Sequence, residues 1–314
     1  LNIVYSDATK GWLPLEDDVV ADEPSAPVTQ KAIFGFGRAG GSRLSLTNLV
    51  NSSGVVAADV TGVGTARDYL AATSYGTDKA IFGYGYTGSD PGVSMSNLVS
   101  NSGVVASDVS GVGTARFGLA AAKYGIDKGL FAYGQTGSGV SLKNLVNSSG
   151  VIAADVTGVG TARWLLAASG YGDDKAIFAY GWTGSNVSVK NLVNNSGTVA
   201  ADVSGVGTAR SSLAAASYGV GLAVFAYGDT GSVSSLKNLV SNIGVVAADV
   251  TGVGTARQNL AAAAYGGDKA IFGYGYGTHS MTNLVNSSGT IASDVDGVGT
   301  GRTQLAAVGY SATA

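Results

Sequence analysis

The residues in this chain whose types and spacing suggest chemistry are aspartates and arginines. An aspartate precedes an arginine by eight residues six times: Asp59 and Arg67, Asp108 and Arg116, Asp155 and Arg163, Asp202 and Arg210, Asp249 and Arg257, Asp294 and Arg302. A catalytic acid or arginine normally occurs once per site. Six equivalent copies therefore predict a structural role, as ion pairs or as arginine bonds to loop carbonyls. Other sources of chemistry are few. Without cysteine there is no disulfide, thiolate zinc site or cysteine nucleophile. The single histidine, His279, removes most His-based catalysis and reads as a polar loop residue. Asp294-Val295-Asp296-Gly297 resembles half a calcium loop and lacks the remaining ligands and the closing glutamate. Gly62-Val63-Gly64 lacks the third glycine of a dinucleotide fingerprint. Asn-x-Ser triplets such as those at Asn51 and Asn147 fall in turns and receive no glycosylation assignment. The expectation is a non-enzymatic protein with neither cofactor nor metal.

The elements that position these residues repeat. Gly-Val-Gly-Thr-Ala-Arg ends at Arg67, Arg116, Arg163, Arg210 and Arg257, and a variant with Gly301 ends at Arg302, at spacings of 49, 47, 47, 47 and 45 residues. A second motif of the type Lys-Ala-Ile-Phe-Gly-Tyr-Gly begins at Lys31, Lys79, Lys128, Lys175, Leu222 and Lys269. Each repeat reads as four short strands. In the copy after Arg67 they are about Arg67 to Tyr75, Lys79 to Tyr86, Val93 to Val99 and Val104 to Val109, separated by Gly, Asn, Asp and Ser turns. The Leu-Ala-Ala-Ala segments are too short and too closely flanked by glycine for helices. Four strands repeated about every 47 residues predict an all-β, six-bladed β-propeller. Continuous apolar runs such as Ala80-Ile81-Phe82 fit blades packed on both faces. The array begins at a second strand, Lys31, and ends on a first strand after Arg302, so the C-terminal strand is expected to close the first blade.

Composition agrees. Glycine contributes 49 of 314 residues, about 16% against roughly 7% in ordinary domains. With 45% apolar and 12% charged residues, a disordered chain is excluded. Net charge is -3, and residues 1–30 hold six acids against one lysine, leaving a near-neutral body at 31–314. No basic block points to nucleic acid, and no apolar run reads as a membrane span. Residues 1–30, with Pro14, Pro24 and Pro27 among Glu16, Asp17, Asp18, Asp22 and Glu23, read as an extended acidic attachment arm.

The arginine, the small apolar strand, the turn and the glycine-terminated strand resemble the kelch repeat of six-bladed propellers over residues 31–310. Gly83-Tyr84-Gly85 stands where kelch has adjacent glycines, and the kelch tryptophan of the last strand is missing. The wording Gly-Val-Gly-Thr-Ala-Arg, Leu-Ala-Ala-Ala, Asp-Lys-Ala-Ile-Phe-Gly-Tyr-Gly is similar to repeats in virion proteins of tailed phages, especially marine ones. The opening Ile3 to Trp12 resembles segments of tail-fibre-like proteins. This second resemblance implies a virion-surface, extracellular structural or adhesion module on a tail fibre or other appendage. The arm would contact other virion proteins, and the body a host-surface glycan or protein. The kelch resemblance alone implies a cellular protein-interaction adaptor.

Where near-identical repeats disagree, binding is the expected reason. After the repeated arginine come Asp68-Tyr69, Phe117-Gly118, Trp164-Leu165, Ser211-Ser212, Gln258-Asn259 and Thr303-Gln304. After the Gly-Tyr-Gly strand come Arg38, Tyr86, Gln135, Trp182, Asp229 and Tyr276. In an antiparallel meander both sets lie at one end of the blade, and the opposite turns are nearly uniform. The expected ligand-binding set is Tyr69, Phe117, Trp164, Gln258 and Asn259 with Arg38, Tyr86, Gln135, Trp182, Asp229 and Tyr276. Aromatic, amide and charged groups of this kind stack on sugars or anchor protein partners.

Overall fold

The computed structural model describes residues 3–7, 11–14, 29–277 and 279–314. Ile3–Asp7 and Gly11–Pro14 pair as an antiparallel hairpin, while the acidic stretch 16–23, Pro24 and Pro27 lie outside the described residues. Every named element is a strand.

From Ala71 onward the chain makes the same antiparallel unit repeatedly. Ala71–Tyr75 pairs with Lys79–Gly83, which pairs with Ser96–Val99. Equivalent sheets begin at Ala120, Ala167, Ala214 and Ala261. A sixth joins the two ends of the array: Ala306–Tyr310 pairs with Lys31–Gly35, and that strand with Thr47–Val50. The result is a regular, propeller-like array of three-stranded sheets.

The expected fourth strand is not a continuous ladder. In the unit at Ala71 it is held by two isolated bridges, Val99 to Val105 and Ser96 to Val109. Three steps on one side face four on the other, so one surplus residue interrupts the pairing in the manner of a bulge. Asn97 fills the gap: its Nδ2 donates to the Ala106 carbonyl at 3.0 Å and to Asp108 Oδ1 at 2.9 Å.

Alternation divides the labour of the first strand. Ala71, Thr73 and Tyr75 are buried between sheets, while Ala72 and Ser74 line an axial cavity of about 170 Å³. The middle strand is buried on both sides from Ala80 to Gly83, as its unbroken apolar run demands. Apolar clusters accordingly form between neighbouring sheets. Ile33, Phe36 and Val308 of one sheet meet Leu70, Phe82 and Val105 of the next, with the Phe36 and Phe82 rings edge to face at 5.2 Å. Burying each such phenylalanine contributes about 1.5–3 kcal/mol.

Each repeated arginine is fully buried, and its burial is explained by its bonds. Arg67 Nε donates to the Tyr84 carbonyl at 2.8 Å, Nη1 to the Thr65 carbonyl at 3.1 Å and Nη2 to Asn97 Oδ1 at 2.6 Å. Its guanidinium lies 4.2 Å above the Phe36 ring of the preceding sheet. Burial pulls the Arg67 pKa down to about 10, against the opposing pull of Asp108, so it stays charged at neutral pH.

The aspartate eight residues earlier is not its partner. Arg67 faces Asp108 at 3.8 Å, and Asp59 faces Arg302. Asp108 belongs to the same sheet as Arg67 and also accepts from the Thr65 N–H and hydroxyl. Gly64, at φ +90°, is needed there because a Cβ would lie 2.5 Å from Asp108 Oδ1. Each Asp–Arg contact therefore braces one sheet internally, while the stacked ring links it to the next. At the closing sheet Arg302 Nη2 and Asn48 Oδ1 both lack partners, although the corresponding bond is made in the other sheets.

Candidate functional site

The variable residues are placed by two pieces of backbone. The residue after each buried arginine bonds across to the residue that follows the Gly-Tyr-Gly or equivalent strand. This pairs Arg38 with Thr303, Asp68 with Tyr86, Phe117 with Gln135, Trp164 with Trp182, and Ser211 with Asp229. In the remaining repeat the Tyr276 N–H donates to the Gln258 carbonyl at 2.8 Å. The two variable sets thus meet position by position at one end of the array, as the meander predicts.

The next residue of each repeat turns into the left-handed region: Tyr69, Gly118, Leu165, Ser212, Asn259 and Gln304 have φ between +52° and +63°. That turn swings each peptide tangentially. Tyr69 N–H donates to Gln304, Gly118 to Tyr69, Leu165 to Gly118, Ser212 to Leu165, Asn259 to Ser212 and Gln304 to Asn259, all at 2.8–2.9 Å. The bonds close on themselves around a dimple of about 80 Å³ lined by these residues and the leucines that follow them. Bulky residues in this region carry a strain of about 1–3 kcal/mol each, held here by the ring bonds and the leucine packing.

The expected set divides in two. Tyr69 and Asn259 belong to the backbone ring, whereas Phe117, Trp164 and Gln258 belong to the outer pairs. The sequence shows a variable dipeptide without showing which member turns.

Side chains on this end form a connected row across the first repeats. Arg43 donates through Nε to Asp68 Oδ1 at 3.2 Å and lies 4.7 Å above the Tyr86 ring. The Tyr86 and Phe117 rings are 4.7 Å apart, and Phe117 is 6.1 Å from Tyr69. The Tyr69 hydroxyl accepts from Gln304 Nε2 at 2.7 Å. Asp68 is fully buried and its Oδ2 has no partner. Burial pushes its carboxyl pKa up, with Arg43 and then Arg38 pulling it back. Trp164 packs beside Gly118 and Gly139, and the Trp164–Trp182 pair continues the aromatic arc. Ser211, Asp229 and Gln258 make the far half more polar. Tyr276 is 60% exposed.

The other end of the axis contains what the sequence reading missed. Lys123 lines the axial cavity where the other repeats place Ser74, Gly170, Ser217, Ala264 and Gly309. Burial brings its pKa down to about 8, opposed by Asp127 and Asp173. One lysine among small residues at an equivalent position was the available signal. Thr29 also lines this mouth, and its carbonyl accepts from the Gly267 N–H. The chain preceding the array therefore enters at the end opposite the variable pairs.

Among the described residues no three His, Cys, Asp or Glu side chains converge on a metal position. Asp294 is engaged by Thr255, Asn283 and Arg257. No protein-family model matches the chain, and no curated protein matches it.

Proposed function

We propose that this chain is a non-enzymatic binding module, a kelch-like six-bladed β-propeller of four-stranded blades. It is carried on the surface of a tailed-phage virion, on a tail fibre or other appendage. Its variable end contacts a host-surface glycan or another virion protein. One observation carries the binding reading: the two variable sets are paired residue for residue around a closed backbone ring, at the end away from the uniform turns. A ring bonded through main chain alone holds its surroundings rigid while leaving side chains free to differ, which suits recognition.

Residues 1–30 serve as the attachment arm to other virion proteins. Entry of the chain beside the axial mouth supports this polarity, because an anchor there leaves the variable end outward. The virion assignment rests on the wording of the repeats. The cellular adaptor implied by the kelch resemblance would use the same end for a protein ligand.

Binding of the intact protein to host cells and to a glycan array, with the Trp164→Ala/Trp182→Ala variant beside it, tests the module. The expected result is binding by the parent, weakened in the variant with an unchanged melting temperature. Unchanged binding with lost stability would make the tryptophans packing elements. Detection of the chain in purified particles tests the location, and its absence from them would sink the virion reading.

A further inference from the structure

The arginine-bearing sector of the variable end has a more specific chemistry. Both cations of this sector, Arg38 and Arg43, stand in the hairpin formed by Arg38–Ala39 and Ser42–Arg43. Arg43 is fixed from three sides. Its Nε is held by Asp68, whose side chain is only 1% exposed against 21% for Arg43. Its plane rests on Tyr86. On the third side Gly88, at φ +118°, leaves room for Nη1, which a Cβ there would approach to 3.2 Å. Among the described residues Arg38 is tied through Nε alone, to the Gly41 carbonyl at 3.3 Å. Among the described residues neither arginine makes a hydrogen bond through its Nη groups, which leaves both forks for a ligand.

An open, pre-oriented guanidinium fork matches the two oxygens of a carboxylate. Beside it the Tyr86 and Phe117 rings, packed on each other at 4.7 Å, are only half-buried and leave aromatic surface for a pyranose to lie against, and Tyr69 keeps its own hydroxyl proton after accepting from Gln304. Asp68 sits buried behind Arg43. Its charge orients the guanidinium from below and is not presented to an incoming anion. Asp90 is exposed on the loop between Tyr86 and Gly92, so the anion's seat is at the forks and not at the loop tip.

We propose that this sector binds an acidic saccharide, its carboxylate on Arg43 and Arg38 and its ring against Phe117 and Tyr86. This rests on the reading of the variable end as a binding face.

The test titrates the intact protein with methyl β-D-glucuronide and with methyl β-D-glucoside, observed by saturation-transfer NMR and calorimetry. The glucuronide should bind about ten-fold tighter, one charge-assisted fork's worth. Arg43→Gln should abolish that preference, and Arg43→Lys, which keeps charge without the fork, should retain only part of it. Phe117→Ala should weaken both sugars, and melting curves check that each variant is folded. Equal affinity for the two sugars, no binding of either, or a preference that survives Arg43→Gln would overturn the proposal. Host-cell or glycan-array binding that persists in Arg43→Gln and Phe117→Ala but is lost in the double tryptophan variant would overturn this sector alone. Loss of all such binding by the parent protein would remove the broader reading as well.

Discussion

The two ends of the axis solve the same problem, reversing the chain between strands, with different chemistry. At the uniform end the turns depend on side chains. Asn51 Oδ1 accepts from the Ser53 and Val55 N–H groups, and Asn147, Asn194 and Asn286 do the same in their repeats. Where serine replaces asparagine, as at Ser100 and Ser241, its Oγ takes over. Only short side-chain acceptors can do this, so the turns remain near copies. Neighbouring units are joined main chain to main chain at both ends, from Gly76 N–H to Asp127 and onward to Ser311 N–H to Asp78 at the uniform end and through the Tyr69-to-Gln304 ring at the other, but only the uniform end repeats a side-chain bond in every turn. Side-chain identity is released at the ring end, and one position is occupied by Tyr, Gly, Leu, Ser, Asn and Gln in turn. Variation is permitted where no side chain is needed to close the turn, and sequence is held where side chains close it.

The largest effect that would test this division is loss of closure. Removing residues 303–314 deletes the strand that pairs with Lys31–Gly35 and opens the ring. The truncated chain should lose its cooperative thermal transition by circular dichroism. A transition retained near the parental temperature would show that closure is not holding the array.

Acid should act on the repeated Asp–Arg braces and spare the variable end. Burial raises the pKa of Asp108, but bonds from Thr65 and Asn97 and the charge of Arg67 outweigh it, leaving a net lowering. The other five repeated aspartates are lowered likewise. A carboxyl depressed in the folded state stabilises above its unfolded pKa, and that contribution disappears as pH falls through the folded value. Stability should therefore decline below about pH 4, in the region of the ordinary aspartate pKa. Asp68 has the opposite sign, since its folded pKa is raised: its contribution weakens as pH rises. Denaturant melts of the parent and Asp68→Asn between acid and neutral pH separate the two. An Asp68→Asn protein without any change in its acid limb would contradict the assignment.

Next in size is the contrast between neighbours. Arg163→Ala removes a buried cation with three bonds and a stacked ring. It should cost about 3–5 kcal/mol in urea unfolding. Trp164→Ala, one residue later on the variable side, should stay within about 1 kcal/mol of the parent. Equal losses would erase the distinction between the two regions.

The smallest effect concerns one missing hydroxyl. Tyr84, Tyr133, Tyr180, Tyr227 and Tyr274 each donate to a valine carbonyl of the Gly-Val-Gly turn, as Tyr180 does to Val206 at 3.1 Å. Phe36 occupies the same place in the closing sheet. Tyr180→Phe should destabilise by about 0.5–1.5 kcal/mol, and Phe36→Tyr should recover a similar amount by reaching Val63. A Phe36→Tyr chain less stable than the parent would mean that the closing sheet has no room for the hydroxyl.

Much of this was readable from the residues. The phase of the two motifs gave the sheet order and the pairing of the last strand with Lys31–Gly35. The unbroken apolar run in Lys79–Gly83 gave its burial on both faces, whereas the alternation of Ala71–Tyr75 is masked by its small residues. What was hidden has physical causes. Aspartate and arginine recur together, one aspartate eight residues before each arginine and the next 37–41 residues after it, and the invariant eight is the misleading one: only the fold chooses the more distant partner. Val104–Val109 reads as a fourth strand, but strand register counts residues on both partners, and here one side has a surplus. The turn at Tyr69 was invisible because five of its six counterparts, Tyr69 included, are not glycine and owe their backbone angles to ring bonds with other repeats. Lys123 went unremarked because its significance lies in the small residues that occupy the same place elsewhere.

The closing strand also bears on how such a gene can change. Nearly identical repeats recombine readily, and an unequal exchange that deletes or duplicates one unit leaves every local contact intact: each arginine still finds its asparagine, each phenylalanine its neighbour. What such an exchange disturbs is circumference. The peptides from Tyr69 to Gln304 close into a loop of fixed membership, and Gln30 donates to Ser311 where the array's ends meet. A chain with one unit more or fewer must re-curve every interface at once or leave those ends apart. Substitutions at the paired positions can accumulate one at a time, whereas a change in repeat number is a single large step.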